Sequence, residues 1–195
     1  NSTSMESRLF QALKAFKGAD GCEANLFKEF KKIAEEAFFS GYFLVNGGCK
    51  DAYKLKLTCI EFYYHEDDGN IKDEKKYLKG KDEFGYALGA VCPNPSGVDV
   101  LFDDPQKKYH ASFLIRGYKA IAPGKKEWEN NEKRKDWAPH DFWYDFFGGA
   151  NMLSNGKFSI EWIDESDETL GYAEPMQRIK INDNRLWGFK RVEKL

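Results

Sequence analysis

The stretch "YKLKLTCIEFYYH", residues 53–65, has the composition and alternation of a half-buried β-strand, and it decides the fold prediction. Successive strand side chains point to opposite faces, so the odd-numbered residues are predicted to share one face. Lys54, Lys56 and Thr58 are predicted to share the other. The first face then contains Tyr53, Leu55, Leu57, Cys59, Glu61, Tyr63 and His65, which places an acidic side chain among apolar ones.

Glu61 is the residue of this strand that is best suited to a catalytic role. A carboxyl group among leucines loses water, which destabilises its charged form, raises its pKa and suits it to general acid or base chemistry. Tyr63 would place an aromatic surface beside it, where a flat ring could lie next to an activated water. The alternative is that the strand twists out of the core after Cys59, so that Glu61 meets solvent or an arginine.

A second acidic residue, Asp99, interrupts the apolar run "GVDVLF" at 97–102. Two inward carboxylates on neighbouring strands could share a proton or hold a water. The regular alternation favours the other interpretation, in which Val98, Val100 and Phe102 face the core. The exposed row would then be Gly97, Asp99, Leu101 and Asp103.

The order of the predicted elements indicates an α+β fold, with helices first and a mostly antiparallel sheet afterwards. Apolar residues recur at helical spacing from Leu9 to Phe16, with Gly18 and Gly21 after them, and again from Leu26 to Phe38. A third helix is predicted at 139–149, with Gly148 as its stop. Strands are predicted at 42–45, 53–65, 97–102, 109–118, 157–163, 178–181 and 186–192.

Composition narrows the class of protein. The chain has 195 residues, 42% hydrophobic and 32% charged, which suits one domain over residues 5–195, with residues 1–4 as an added remnant. It contains no apolar run long enough to cross a bilayer. The four cysteines form no CxxC pair and the three histidines are scattered, so we expect no zinc site. Cys59 lies inside the strand pattern and is expected to be an ordinary buried thiol, which favours a reducing, cytoplasmic location, while the spacing of the four cysteines also permits a disulfide.

The charge distribution bears on nucleic-acid binding. A net charge of −2 argues against a protein that coats nucleic acid through bulk charge. Two segments are nevertheless locally basic: 119–135 has six basic and three acidic residues, and 178–195 has six basic and two acidic ones. Together they could form a binding face, although such runs are commonly solvated surface.

Five motifs occur in an order and spacing that resemble one enzyme family. They are "EFY" at 61–63, "SGVDVLFDD" at 96–104, "ASFLIRGYKAIAPG" at 111–124, "GGANML" at 148–153 and "QRIKINDNRLWGFKRV" at 177–192. The chain resembles, over about residues 25–192, the alkyladenine (3-methyladenine) DNA glycosylases. That family has an E-x-Y strand, a Gly-led strand, an "LLRA" strand before a Pro-Gly loop, a "GP-x-x-L" helix start and a closing "PRIGI" segment.

The resemblance implies an N-glycosylase of base excision repair on a curved sheet or partly open barrel. Glu61 falls on the catalytic carboxylate that activates water, Tyr63 on an aromatic that stacks against the flipped base, and Arg116 on the arginine at the base of the site. His65, Asp99 and Asp103 become further candidates for substrate binding. The resemblance implies no metal and no other cofactor. The implied partner is DNA or a nucleotide carrying a damaged or modified purine, and we expect a monomer that does not bind membranes.

Three departures from the family pattern leave alternatives open. Lys72 stands near the place of a pocket histidine, Asp103 replaces an asparagine, and Ser96 replaces the tyrosine that wedges into the duplex. An inserted side chain helps to offset the cost of unstacking, so its loss favours a single-stranded or free nucleotide. The alternatives are a non-catalytic protein that binds nucleic acid or a planar small molecule on the same fold, and a hydrolase that acts on another substrate.

Overall fold

The computed structural model describes residues 7–73, 88–104, 106, 108–122, 124, 127–131, 139–147 and 159–194. In these parts the chain forms three helices and nine strands. The helices are α1 (Arg8–Ala15), α2 (Glu23–Phe39) and α3 (Pro139–Phe146). The strands are β1 (Gly41–Val45), β2 (Tyr53–His65), β3 (Val91–Asn94), β4 (Gly97–Leu101), β5 (His110–Ile121), β6 (Trp128–Asn131), β7 (Ile160–Asp164), β8 (Gly171–Met176) and β9 (Gly188–Glu193).

The strands form one curved antiparallel sheet with the shape of a half-barrel, which confirms the predicted α+β class. Its centre is the long pair β2 and β5. The outer edge of β2 pairs first with β1 and then with β9, and that of β5 pairs with β6 and β4. Two shorter strands thus share the outer edge of β2, and two share the outer edge of β5. The sheet therefore splits into two branches on each side of the central pair. We found no helix in the described ranges that is long and apolar enough to cross a membrane.

The main core lies between the helices and one face of this sheet. The predicted apolar stripe of α2 is confirmed, and its Phe30 ring stacks on Phe62 of β2 with centroids 4.4 Å apart. Each fully buried side chain of this size stabilises the fold by about 1.5–3 kcal/mol. The α2 residues buried in this core are Leu26, Phe30, Ile33, Ala34, Ala37 and Phe38.

The alternation predicted for β2 is wrong beyond Leu57, because the register between β2 and β5 shifts there. Leu57 pairs with Tyr118, Cys59 with Gly117 and Ile60 with Ile115. Each strand therefore carries one extra residue at this point, Thr58 on β2 and Arg116 on β5. Core residues are odd-numbered before the bulge and even-numbered after it, namely Leu55 and Leu57, then Ile60, Phe62 and Tyr64. Glu61 consequently lies on the opposite face from the leucines.

The prediction of an exposed row on β4 is also wrong. Val98, Val100 and Phe102 face the core as expected. On the other face, Gly97, Asp99 and Leu101 are nonetheless buried, with only 2% of Asp99 exposed, and Asp103 is partly buried. Both faces of the sheet are therefore covered at this point.

The remaining differences concern short elements. Residues 178–181 do not form the predicted strand, because the chain turns at Ile179 and Lys180, and Lys180 has a φ of 59°. Strands β3, β6 and β8 were not predicted. Pro93 lies in β3 and Pro175 in β8, and both lack a backbone donor. The predicted stop at Gly148 lies outside the described residues.

Candidate functional site

Four predicted site residues lie together on the sheet face opposite the main core, which we call the site face. Glu61 and Asp99 both pair with Leu114, which lies between them on β5, so the three form one row across the sheet. Tyr63 lies two positions beyond Glu61 on the same strand. Arg116 approaches from β5. The structure thus brings Glu61, Tyr63, Arg116 and Asp99 into one group.

The Glu61 carboxylate is fully buried and is held from two directions. Its Oε1 accepts a hydrogen bond from Arg116 Nε at 2.6 Å, and its Oε2 accepts one from the Ile179 backbone N–H at 2.6 Å. A guanidinium and a backbone N–H both favour the ionised carboxylate. The predicted meeting of Glu61 with an arginine is therefore confirmed, but inside the protein instead of at its surface.

The bulge explains how Arg116 reaches Glu61. Arg116 is the extra residue of β5 at the register shift, and bulges commonly redirect a side chain beside a functional site. Its side chain is 7% exposed and its partner Glu61 is 0% exposed. The two charges are thus removed from water as a pair.

Tyr63 lies in a small apolar cluster with Leu114 and Ile181. Burial, followed by the charge of Glu61, raises the pKa of the Tyr63 phenol far above its usual value, so the hydroxyl stays protonated at neutral pH. The Arg178 guanidinium lies over the ring at 4.9 Å from its centroid. One face of the ring is thereby covered, and Tyr63 as a whole is only 3% exposed.

Arg178 and Asp73 are site residues that the sequence did not reveal. Arg178 donates to both Asp73 carboxylate oxygens at 2.7 and 3.2 Å, and its Nη2 lies 3.1 Å from Asp183 Oδ2. Burial lowers the pKa of Arg178, but hydrogen bonding to Asp73 outweighs it and raises the pKa above its ordinary value. No periodicity in the sequence marked either residue, because both lie in irregular segments.

Residues 177–187, which we call the strap, connect β8 to β9 beside β2, with Ile179 and Ile181 at the site face and Trp187 in the main core. The strap provides the Ile179 N–H to Glu61 and the Ile181 side chain to Tyr63. Beside it is an open groove of about 690 Å³ that is lined mainly by polar side chains. The lining residues are Glu23, Gln177, Ile181, Asn182, Asp183, Asn184 and Arg185.

His65 and Asp103 belong to a second group, farther along the same face. His65 pairs across the strands with His110, and the Asp67 carboxylate lies 3.3 Å from His65 Nε2 and 3.2 Å from His110 Nε2. Asp103 accepts from the Ala111 N–H at 2.7 Å and so closes the β4–β5 connection. His65 lies four residues beyond Glu61, about 13 Å along the strand.

The structure shows the contacts or exposure of the residues that depart from the family pattern and of the basic C-terminal segment. The Lys72 ammonium donates to the Glu66 and Asp67 carbonyls of its own loop. Ser96 is exposed in the turn between β3 and β4. Among the arginines of the basic segment 178–195, Arg178, Arg185 and Arg191 pair with Asp73, Asp183 and Asp167 respectively. That segment therefore offers less free positive charge than its composition suggests.

Metal ligation finds no support in the parts of the chain that the structure describes, where no three His, Cys, Asp or Glu side chains are arranged to hold an ion. The four cysteines are free thiols, with Cys22 and Cys49 exposed and Cys92 buried. Comparison of the chain with protein-family models, curated proteins and solved structures gave no match.

Proposed function

We propose that this protein hydrolyses the N-glycosidic bond of a damaged or modified purine nucleotide, on a glycosylase-like fold, with Glu61 as general base. The observation that carries the proposal is the fully buried Glu61 carboxylate held at 2.6 Å by Arg116, with Tyr63 on the same face. Taking two charges out of water is costly, so a fully buried pair in which a carboxylate lies beside a phenol is a candidate functional site. The resemblance of the five motifs supplies the reaction class.

The chemistry assigns one role to each residue. Glu61 accepts a proton from a water whose oxygen bonds to the sugar carbon, while the bond from that carbon to the base breaks and the base leaves with the electron pair. Arg116 keeps Glu61 ionised and fixes its direction. Tyr63 is 3% exposed, so stacking against the base requires the ring to be uncovered on the side that Arg178 does not occupy. Asp99, in the same row, is a second acceptor for the base or sugar.

The form of the substrate follows from the charges around the site. Three arginines of the basic segment are engaged in internal ion pairs, and the exposed Ser96 cannot wedge into a duplex. Phosphate contacts normally supply much of the affinity for DNA. We therefore favour a single-stranded or free nucleotide over intact duplex DNA.

A non-catalytic binding protein is the second candidate, and one observation favours it. Both oxygens of Glu61 already accept hydrogen bonds from Arg116 and Ile179. A carboxylate has about four lone-pair positions, so these bonds leave fewer for a water than an open site would. Under this alternative the same face holds a nucleotide or another planar molecule without cleaving it.

Base release decides between the two. The wild-type protein, Glu61→Gln and the control Glu174→Gln would be incubated with single- and double-stranded oligonucleotides carrying alkylated or deaminated purines, and with the free nucleosides. Glu174 is a suitable control because it forms a surface ion pair with Lys190, with 42% of its side chain exposed. Abasic sites would be scored by strand cleavage in alkali, and released base by chromatography.

The glycosylase proposal expects release by the wild type and Glu174→Gln, and a loss of at least about 100-fold in Glu61→Gln, as is typical for removal of a general base. Binding without release by all three proteins would instead support the second candidate. Release that is equal in the wild type and Glu61→Gln would exclude Glu61 as the base.

A further inference from the structure

Asp73 and Arg178 lie where three of the predicted site residues meet. They are separated by 105 residues of sequence, yet they form a two-pronged ion pair with distances of 2.7 and 3.2 Å. The Asp73 side chain is 2% exposed and that of Arg178 is 0% exposed. Such a pair has a fixed geometry, because a planar guanidinium and a planar carboxylate match at two points.

The pair is connected to Glu61 through the backbone. Arg178 immediately precedes Ile179, whose N–H donates to Glu61 Oε2 at 2.6 Å. Arg178 also donates to the carbonyl oxygen of Phe62, the residue next to Glu61, at 3.1 Å. The guanidinium thus binds the backbone of β2 as well as Asp73. Its position therefore determines where the Ile179 N–H points.

The same pair contacts Tyr63 and His65. The Arg178 guanidinium lies 4.9 Å from the centroid of the Tyr63 ring. The Asp73 backbone N–H lies 3.0 Å from His65 Nδ1. Glu61, Tyr63 and His65 occupy alternate positions of β2, so the ion pair contacts two of these positions directly and reaches Glu61 through Ile179.

We propose that Asp73 and Arg178 are positioning residues, which as one clasp hold the Ile179 N–H on Glu61 and fix the position of the Tyr63 ring. The catalytic part of this inference rests on the proposed hydrolase function. The structural part does not, because it concerns a hydrogen bond of the protein itself. Neither residue touches the reacting atoms.

Amide hydrogen exchange, followed by NMR, tests the clasp without any substrate. Asp73→Asn and Arg178→Lys each remove a charge-assisted hydrogen bond between residues 73 and 178. We therefore expect each variant to raise the exchange rate of the Ile179 amide by at least about tenfold. Asp167→Asn is the matched control, because it weakens the Arg191–Asp167 pair at 2.8 Å, away from Glu61. It should leave the exchange of Ile179 unchanged.

If neither variant folds, a measurement on the wild-type protein tests the clasp instead. In low urea, the Asp73 and Ile179 amides are expected to exchange through one shared opening, with rates that rise together as urea is increased. Different urea dependences for these two amides would overturn the clasp. So would an Ile179 exchange rate that Asp73→Asn and Arg178→Lys leave unchanged.

Activity measurements distinguish failure of the clasp from failure of the proposed hydrolase function. If the wild type releases base, Asp73→Asn should lower kcat, and its pH profile should shift because the environment of Glu61 has changed, whereas Asp167→Asn should keep both. If the wild type releases no base but Ile179 exchanges faster in the variants, the proposed hydrolase function fails and the clasp stands.

Discussion

At the scale of single residues, the Glu61–Arg116 pair is a costly arrangement. Removing two charges from water requires several kcal/mol for each ion, and their attraction returns this only when the geometry is good and further hydrogen bonds are present. The 2.6 Å contacts to Arg116 and the Ile179 N–H meet that condition. A hydrophobic pair of similar volume would stabilise the sheet at least as well. This is why we interpret the pair as functional.

A double-mutant cycle tests this interpretation. Arg116→Met should lower the free energy of unfolding by about 3–5 kcal/mol, because it leaves the Glu61 carboxylate buried without its guanidinium. Glu61→Leu combined with Arg116→Met should recover most of that loss. Urea denaturation of the two single variants and the double variant measures all three values. A double variant that is less stable than Arg116→Met would show that the pair serves stability.

Asp167 provides a test of pH dependence. Burial acts to raise the pKa of its carboxyl, but hydrogen bonds from Thr169 and Arg191 outweigh burial and lower the pKa to about 2, from 3.8. A lowered folded-state pKa stabilises the protein above pH 3.8, and this stabilisation is lost as the pH falls towards 2. The shift corresponds to about 2 kcal/mol, which solvent screening at this partly exposed position reduces to about 1 kcal/mol.

Denaturation of the wild type and Asp167→Asn between pH 6 and pH 2 checks the effect. The difference in unfolding free energy should be about 1 kcal/mol at pH 6 and much smaller at pH 2, where about half of the wild-type carboxyl is protonated. A difference that stays constant over this range would mean that Asp167 contributes no titratable stabilisation.

The sequence predicted part of this site for a physical reason. Glu61 and Asp99 are visible because a charge in an apolar strand needs a partner, whichever face it occupies. Asp73 and Arg178 were missed because they lie in irregular segments, where no periodicity distinguishes a buried charge from a solvated one. Sequence distance adds to the difficulty, since the two are 105 residues apart.

At the scale of elements, the paired bulge in β2 and β5 controls which side chains share a face. Without the extra residues Thr58 and Arg116, both strands would alternate regularly. Periodicity alone cannot locate an extra residue, so the parity of β2 was predicted correctly up to Leu57 and wrongly beyond it. The burial of Glu61 was predicted, but the face was not.

Two single-residue deletions distinguish the bulge from the rest of β2. Deletion of Thr58 keeps Leu55, Leu57 and Ile60 on the core face, so the protein should still fold, with one bulge remaining on β5. Deletion of Lys56 moves Lys54 to the core face and should prevent folding. Circular dichroism and urea denaturation compare the two proteins. Equal effects of the two deletions would refute this account of the register.

Element types were predictable to different degrees. The helix over Glu23–Phe39 has a long stripe that only one face can bury, and it was predicted within a few residues. Strands β3 (VCPN) and β6 (WENN) were missed because they contain Pro, Asn and Glu, which are uncommon in strands. Residues 178–181 have the composition of a strand, but they form a turn, in which Ile179 and Ile181 contact Glu61 and Tyr63.

At the scale of the whole molecule, the division of the sheet places the strap beside the middle of β2. Strands β8 and β9 fill the edge of β2 beyond β1, and the strap between them contacts Glu61 and Tyr63. The α+β class follows from the order of elements. The order of elements does not predict which strands share an edge, because that depends on contacts between distant segments. The sequence therefore predicted the layers and not the division.

Salt dependence tests the overall charge argument. Lys180 is exposed in the turn of the strap, next to Ile179, so it can reach a phosphate of a ligand at Glu61. Binding of a single-stranded oligonucleotide should weaken as salt rises, and Lys180→Ala should reduce the slope of log K against log salt by about 0.7. Fluorescence anisotropy measures this slope. Lys14→Ala, on the exposed side of α1, is the control and should leave it unchanged.

The prolines of two outer strands have a consequence for how the protein behaves in a crowded solution. An open sheet with exposed rims can recruit strands from other molecules and grow into fibres. Pro93 and Pro175 each remove a donor from the rim of β3 and β8, and each stiffens the chain there. These two rims are thereby poor templates for polymerisation, which lets a divided sheet keep its working face without adding to itself.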